Sequence, residues 1–519
     1  MPSARSMERK NAMRTRFLLC ILFACLLAVP LVALSAETQN EPITLTCLVN
    51  HTWFPSDTFT GIIPEEITRA TGVKLEIIVA KNEQHLNMLL SSNDLPDLVY
   101  TSTQFDMLSD AQYCYDYDSL MRQYDIQWDI ADDLRFNGTL SSQDGKLYTV
   151  INHYTKTSDW ADSSSVPMTA SLMVRQDILD ALGNPSTATR EELFDVFLQV
   201  RAAYPNMVPL TFDMSHRFNV FRAFFGIGLS YFAEQEDGSY LLYAKDARYY
   251  DMLRYLNQLY QNECLLIDNF SSSLKQSSNL YRQGISFAHS GCTQNYNLSL
   301  DLALRELHPD YRSVELYPPQ GAVFSDSNLG WSGTFITKNN RHPETSMRFV
   351  AWMFTQEGQR LTQWGREGID YALSEQDMPI FTDEVLDAIH DDTYNARFNP
   401  WFYFGTSAIT EATGRCALLN CEDYEPTYSA IRALYVNMPW IAAAMPIEGS
   451  AEKEIFTRFL SFADTQETQI IISQTDAEFE ANYRNYMDLL DLIGVPLLER
   501  CISQHAPAME ARYQSNEER

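Results

Sequence analysis

The chain of 519 residues is 45% hydrophobic and 12% aromatic, and its 68 acidic against 38 basic side chains leave a net charge of −30. That much apolar side chain excludes a disordered polymer, and the length leads us to expect two large lobes or three smaller units. The strong acidity argues against nucleic acid or an anionic membrane surface as a partner.

The first element is a leader over residues 1–36. Arg5, Arg9, Lys10, Arg14 and Arg16 precede the apolar run "FLLCILFACLLAVPLVALSA", and the small residues Ala33, Ser35 and Ala36 close it as a cleavage site. Its loss would take the net charge from −30 to −34, because it carries five basic residues and one acidic, Glu8. "LFAC", ending at Cys25, loosely resembles a lipidation site, although Phe23 fits that pattern badly. An exported chain acting outside the cytoplasm is expected.

Beyond the leader, "ITLTCLV" (43–49) alternates as a strand and runs into the aromatic loop "NHTWFP". A helix ending near Gly72, a strand "KLEIIVA", a helix "NEQHLNMLLSS" and a strand "LPDLVYTS" follow, an alternation that implies parallel βαβ units. In such sheets the loops at the carboxyl ends of the strands line the ligand crevice. Acidic, aromatic loops lead to "DGKLYTVINHY", read as a turn and strand, and Asp132–Asp133 within them read as solvated loop charges. "SLMVRQDILDALGNP" makes a strand and a helix stopped by Gly183 at C′; Thr189 and Glu192 then form a capping box on a helix with Leu193, Val196, Phe197 and Val200 on one face. Strands at "RQGISFAHSGC", "SVELYPP" and "GWSGTFITKN" precede a helical C-terminal third that includes "EVLDAIHDD", "EPTYSAIRALYVN" and "DAEFEANYRNYMDLLDLIGVPLLERCIS". Internal repeats, low-complexity stretches and long linkers are lacking, so the lobes are expected to exchange chain segments.

Motifs for chemistry are scarce. The sequence has no G-x-S-x-G elbow, H-E-x-x-H, phosphate-binding loop or G-x-G-x-x-G, which disfavours serine hydrolysis, zinc catalysis and nucleotide binding. The histidines are dispersed and read as surface or satisfied core residues. The cysteines beyond the leader lack CxxC spacing and read as buried thiols, with a small-loop Cys416–Cys421 disulfide as the alternative. Two carboxylates suffice for a glycosidase, and among 68 acidic residues chance pairs abound, so that enzyme class stays open. Over-supplied instead are aromatic side chains in loops, from Trp53 and Phe54 to "NPWFYFG" at 399–405, and such faces stack on sugar rings.

The order and spacing of "LPDLVY", "DGKLYTV", "MVRQDILDALG", "GISFAHSG", "ITKNNRHPETSMRFVAWMFTQEGQRLTQWGREGIDYAL" and "MDLLDLIGV" resemble the extracellular solute-binding proteins of ABC importers, in their sugar-binding lipoprotein branch, over residues 43–515. The resemblance implies an α/β, two-lobed, type II periplasmic-binding-protein-like fold whose lobes are joined by crossover segments, with a helical C-terminal part. It would place 43–155 and 314–360 in lobe 1, and 156–313 and 361–515 in lobe 2. It further implies a monomeric, non-enzymatic protein without cofactor or metal that captures a solute, expected to be an oligosaccharide, between the lobes and hands it to ABC permease subunits in the membrane. A sensor-feeding or peptide-binding protein and a secreted glycosidase are the alternatives. Where sugar binders of the wider family often carry a Trp after the Gly corresponding to Gly291, this chain has Cys292–Thr293.

On this reading the ligand-binding candidates are Trp53, Tyr100, Thr101 and Trp331 from the first lobe, and Arg175, Asp213, Tyr371 and Trp401 from the second. The aromatics would stack, and Arg175 and Asp213 would bond hydroxyls. Trp331, set between Gly330 and Ser332 at the start of its strand, is the strongest of these.

Overall fold

A computed structural model describes residues 41–161, 163–212, 216–293, 297–388, 401–419 and 424–517. The expected leader 1–36 with Cys25, Asp213 and Cys421 lie outside these residues. In chain order the strands are β1 (Ile43–Val49), β2 (Val73–Val79), β3 (Leu98–Thr101), β4 (Ala170–Arg175), β5 (Val208–Phe212), β6 (Phe232–Glu234), β7 (Tyr240–Leu242), β8 (Ser286–Cys292), β9 (Ser313–Glu315), β10 (Phe324–Asp326), β11 (Gly333–Ile336), β12 (Tyr371–Leu373), β13 (Pro379–Phe381) and β14 (Tyr435–Asn437).

Two four-stranded sheets organise the lobes. The first has the order β11-β3-β1-β2, with β1, β2 and β3 parallel and β11 antiparallel to β3; the second has the order β5-β8-β4-β9, with β5 and β8 parallel and β4 antiparallel to β8. The alternating apolar face of β1 buries Leu45, Cys47 and Val49 in a core shared with Ile63, Ile67, Met347 and Val350 from the flanking helices. The helix Arg190–Ala203 starts in the expected Thr189/Glu192 capping box and buries Leu193, Val196, Phe197 and Val200 in the second core. Each of those side chains contributes about 2 kcal/mol through lost apolar exposure.

Among the described residues, three crossover segments join the lobes. The first runs through 151–159 between Val150 of the first core and Trp160 of the second; the next, through 325–330, leads from Phe324 back towards Trp331; the last, through 405–411, leads from Phe404 to Ala412. Helix Ala408–Leu419, at the last of these, gives Ala412 and Cys416 to the second core and Leu418 to the first. Beside the second crossover, β10 pairs in parallel with β14. Among the described residues no helix is long and apolar enough to cross a membrane.

Four expectations change. "DGKLYTVINHY" runs beside β11 without becoming a strand: it holds one bridge, Ile151 to Gly333, and otherwise uses side chains and loops, as when Thr149 Oγ1 donates to the Thr334 carbonyl at 3.0 Å. The end of "EPTYSAIRALYVN" leaves its helix at Leu434 and becomes β14. Asp132–Asp133 opens the helix Asp132–Thr139, and Asp133, 3% exposed, pairs with Lys156 of the first crossover at 2.8 Å. Trp364, Tyr371, Phe381, Val385, Trp401 and Phe404 pack in the first core and not with the second lobe, because β12, β13 and the short helix at 401–404 fold back onto the helices that follow β11.

Candidate functional site

Sheet direction explains where the site forms. β1 and β3 end at Val49 and Thr101, and the antiparallel register Gly333 to Thr101 brings the start of β11 to that same edge. The loop His51–Phe54 after β1, Tyr100 of β3 and Trp331 before β11 therefore converge. His153 of the first crossover and Tyr403 next to the third complete the cluster.

Trp331 lies at its centre. Its ring stacks on His51 (centroids 4.9 Å apart, 28°) and on Trp53 (5.8 Å, 25°), and meets Tyr403 (5.3 Å), His153 (5.6 Å) and Tyr100 (6.3 Å) edge-on. Trp53 is the outermost ring, 49% exposed, and also touches Tyr403 at 5.4 Å. A half-exposed indole backed by packed rings offers a stiff apolar face that loses little entropy on meeting a ligand.

Polar groups from the crossovers fix these rings. The Trp331 amide donates to the Asn152 carbonyl at 2.9 Å, and the Ser332 amide donates to Asn152 Oδ1 at 2.9 Å. Asn152 Nδ2 donates to the Tyr403 carbonyl and reaches the Tyr100 hydroxyl at 3.4 Å. Gly330 has φ +107°, and a Cβ there would meet the Asn152 carbonyl oxygen and Ile151 Cγ2 at 2.5 Å, so only glycine lets the loop lie this close. His153, in the left-handed region at φ 62°, pairs through Nε2 with Glu411 at 2.9 Å, tying the first crossover to the third.

The electrostatics follow from burial and pairing. Burial lowers His51 from the usual 6.5 to about 4, so its ring is neutral near pH 7 and its Nε2 lies 3.3 Å from Ser332 Oγ. Burial disfavours the Glu411 charge, but Arg415 and His153 outweigh it and hold the carboxyl at about 2. Burial, with Glu411 nearby, pushes the Tyr403 phenol up to about 12. The site thus presents aromatic faces and neutral hydrogen-bonding groups over an ionised, internally paired carboxylate.

Among the sequence candidates, the structure brings Trp53, Trp331 and Tyr100 together. Tyr100 is fully buried as a backing ring; Thr101 is buried too, and its hydroxyl accepts from Asn50 Nδ2 at 3.0 Å and donates to the Thr103 carbonyl at 3.1 Å. Trp401 belongs to the first lobe and lies one layer behind, edge-on to Phe54 (6.0 Å) and Phe59 (4.8 Å). Tyr371 is core, against Trp364 at 5.5 Å, at the edge of a separate cavity of about 420 Å³. Arg175 is remote and already satisfied: 2% exposed, it binds Asp177 in bidentate fashion at 2.8 and 2.6 Å and stacks 3.5 Å over Tyr311. On the second lobe Cys292 and Thr293 are buried, and Thr293 Oγ1 donates to the Pro167 carbonyl at 2.8 Å.

Sequence reasoning missed His51, Asn152, His153, Tyr403 and Glu411. The signal for His51 and Tyr403 was their place in the aromatic runs "NHTWFP" and "NPWFYFG"; His153 and Glu411, 258 residues apart, had none. Among the described residues no group of three or more His, Cys, Asp or Glu is placed to hold a metal ion.

No family model and no curated protein matches the chain. Solved structures do. Alginate-binding protein AlgQ2, solved without calcium ion, is 17% identical with a TM-score of 0.65 over 90% of this chain and 98% of its own. An HMO-binding, ABC-transporter-associated solute-binding protein from Bifidobacterium longum infantis is 10% identical with a TM-score of 0.64, covering 90% and 99%. The S. pneumoniae ABC-transporter substrate-binding protein FusA, solved with kestose, is 15% identical with a TM-score of 0.63, covering 91% and 100%. The two α/β lobes joined by crossovers are the fold that this chain shares with these solute-binding proteins.

Proposed function

We propose that this protein is the extracytoplasmic solute-binding component of an ABC importer, and that it captures an oligosaccharide between its lobes and delivers it to a membrane permease. The observation that carries the reading is the aromatic cluster of His51, Trp53, Trp331 and Tyr403 at the carboxyl edge of β1 and β3, built on the segments about which the lobes would move. Apolar sugar faces stack on Trp53, and neutral donors and acceptors around it suit hydroxyls. AlgQ2, the HMO-binding protein and FusA, all with this fold, are named for or solved with saccharides, which supports a sugar as the solute.

The mechanism is binding and closure without covalent chemistry. A solute stacked on Trp53 favours the closed lobes only through contacts that the open form lacks, because a ligand shifts an equilibrium by its differential affinity. The bonds from Asn152 to Trp331, Ser332 and Tyr403 let the crossovers carry that shift. We place residues 1–36 as the export leader.

A thermal-shift screen of the mature protein against neutral oligosaccharides, uronate oligosaccharides and peptides tests this. A sugar at 100 times its Kd should stabilise the protein by about 2.7 kcal/mol. Stabilisation by peptides and no sugar, or turnover of a chromogenic glycoside, overturns it.

A further inference from the structure

We propose that the C-terminal helix is a strap between the lobes, and that Tyr513 and Asn137 are positioning residues that hold the Trp331 loop in place. The helix Val495–Glu517 is rooted in the second core by Val495, Leu498, Ile502 and Ala506. Its far end leaves that core and lands on the helix Asp132–Thr139, whose Leu134 packs on the first core. There the Tyr513 hydroxyl donates to Asn137 Oδ1 at 2.6 Å, both groups being buried; the Tyr513 ring meets Phe136 edge-on at 5.4 Å; and the Arg512 guanidinium lies 5.4 Å over Phe136.

Asn137 faces two ways. While Oδ1 accepts from Tyr513, Nδ2 donates to the Leu329 carbonyl at 3.2 Å, two residues before Trp331. That segment has little freedom of its own: the Gly330 amide donates to Asn328 Oδ1 at 2.6 Å, and the Trp331 amide is committed to Asn152. A route of four groups thus runs from a second-lobe helix to the central ring of the first-lobe cluster. The same helix Asp132–Thr139 holds the first crossover through Asp133 and Lys156, and a cavity of about 30 Å³ lined by Asp133, Lys156, Asn437 and Tyr513 marks where these parts meet. Lobe closure that displaced the strap would shift Leu329, and with it the Trp331 ring. The proposal rests on the reading of the Trp53–Trp331 cluster as the solute platform.

The test uses the full mature chain labelled with 5-fluorotryptophan and studied by ¹⁹F NMR without ligand, so its result is independent of any sugar screen. The Trp331 resonance is assigned by its loss in Trp331→Phe. Tyr513→Phe removes only the hydroxyl; Asn137→Asp keeps an acceptor for Tyr513 but removes the donor to Leu329. Both should shift or broaden the Trp331 resonance and leave those of Trp128 and Trp352, half-buried against the first-lobe core, in place. The proposal is overturned if Trp331 is unmoved in both variants or moves in only one, or if all resonances move together with a falling melting temperature.

Discussion

Trp331 and Arg175 occupy mirror-image positions and have opposite fates. Trp331 stands before, and Arg175 ends, a strand that runs antiparallel to its neighbour, β11 in the first sheet and β4 in the second. Trp331 precedes β11, and the antiparallel run carries that start to the carboxyl edge of β1 and β3. Arg175 ends β4, and the register Ala170 to Cys292 puts that end at the opposite edge, beside the start of β8. A strand-end rule valid for parallel strands therefore inverts for both. Trp331 gains because it stands before its strand, whereas Arg175 is consumed by Asp177 and Tyr311.

The largest effect that would sharpen this contrast is on stability. Arg175→Met leaves the Asp177 carboxylate with the Arg312 amide but without its cation and should cost about 3 kcal/mol in chemical denaturation, in line with breaking a largely buried ion pair, while leaving ligand affinity in the folded protein unchanged. A loss of affinity at equal foldedness would break the comparison. Next comes Gly330→Ala, whose Cβ meets Asn152 and Ile151 at 2.5 Å; overpacking predicts a loss of about 2 kcal/mol, visible as a shifted denaturation midpoint, together with weakened sugar binding.

Trp53→Ala should separate binding from folding. Its ring is half exposed, so the melting temperature of the free protein should barely change, while calorimetric affinity for the sugar identified by screening should fall about tenfold, or 1.4 kcal/mol. Unchanged affinity would remove Trp53 from the platform. The smallest effect is absent at neutral pH. His51 and Glu411 both have folded values below their unfolded ones, so the unfolded chain binds the extra protons and stability falls on acidification. For His51 the loss runs from pH 6.5 down to about 4, and for Glu411 from 4.5 down to about 2. His51→Gln should flatten the upper window of a melting-temperature profile and leave the lower one intact.

Much of the fold was legible because its signals are local. β1 is the alternating "ITLTCLV" residue for residue, the Thr189/Glu192 capping box forms as its spacing implies, and Gly72 ends its helix in the left-handed conformation. Misreadings arose where a segment's partner is distant. "DGKLYTVINHY" has the pattern of a strand, yet its backbone bonds are scattered over Tyr117, Ser332, Trp331 and Thr406, while its Thr149 hydroxyl bonds the Thr334 carbonyl; Asp133 has the pattern of a surface acid, yet Lys156 lies beside it. The site divided in the same way: Trp53 and Trp331 stand out by residue type in small, polar loops, whereas Asn152, His153 and Glu411 are ordinary residues until the crossovers meet.

By itself, the sequence determined elements such as β1 and the helix Arg190–Ala203, the two-lobe expectation and the surplus of loop aromatics, since periodicity, capping and composition act within a few residues. Tertiary structure alone decided which aromatics share a face, that Tyr371 and Trp401 serve the first lobe, and that Arg175 is occupied. Those outcomes depend on strand direction and on pairings such as His153 with Glu411, which are set when segments hundreds of residues apart are brought into register.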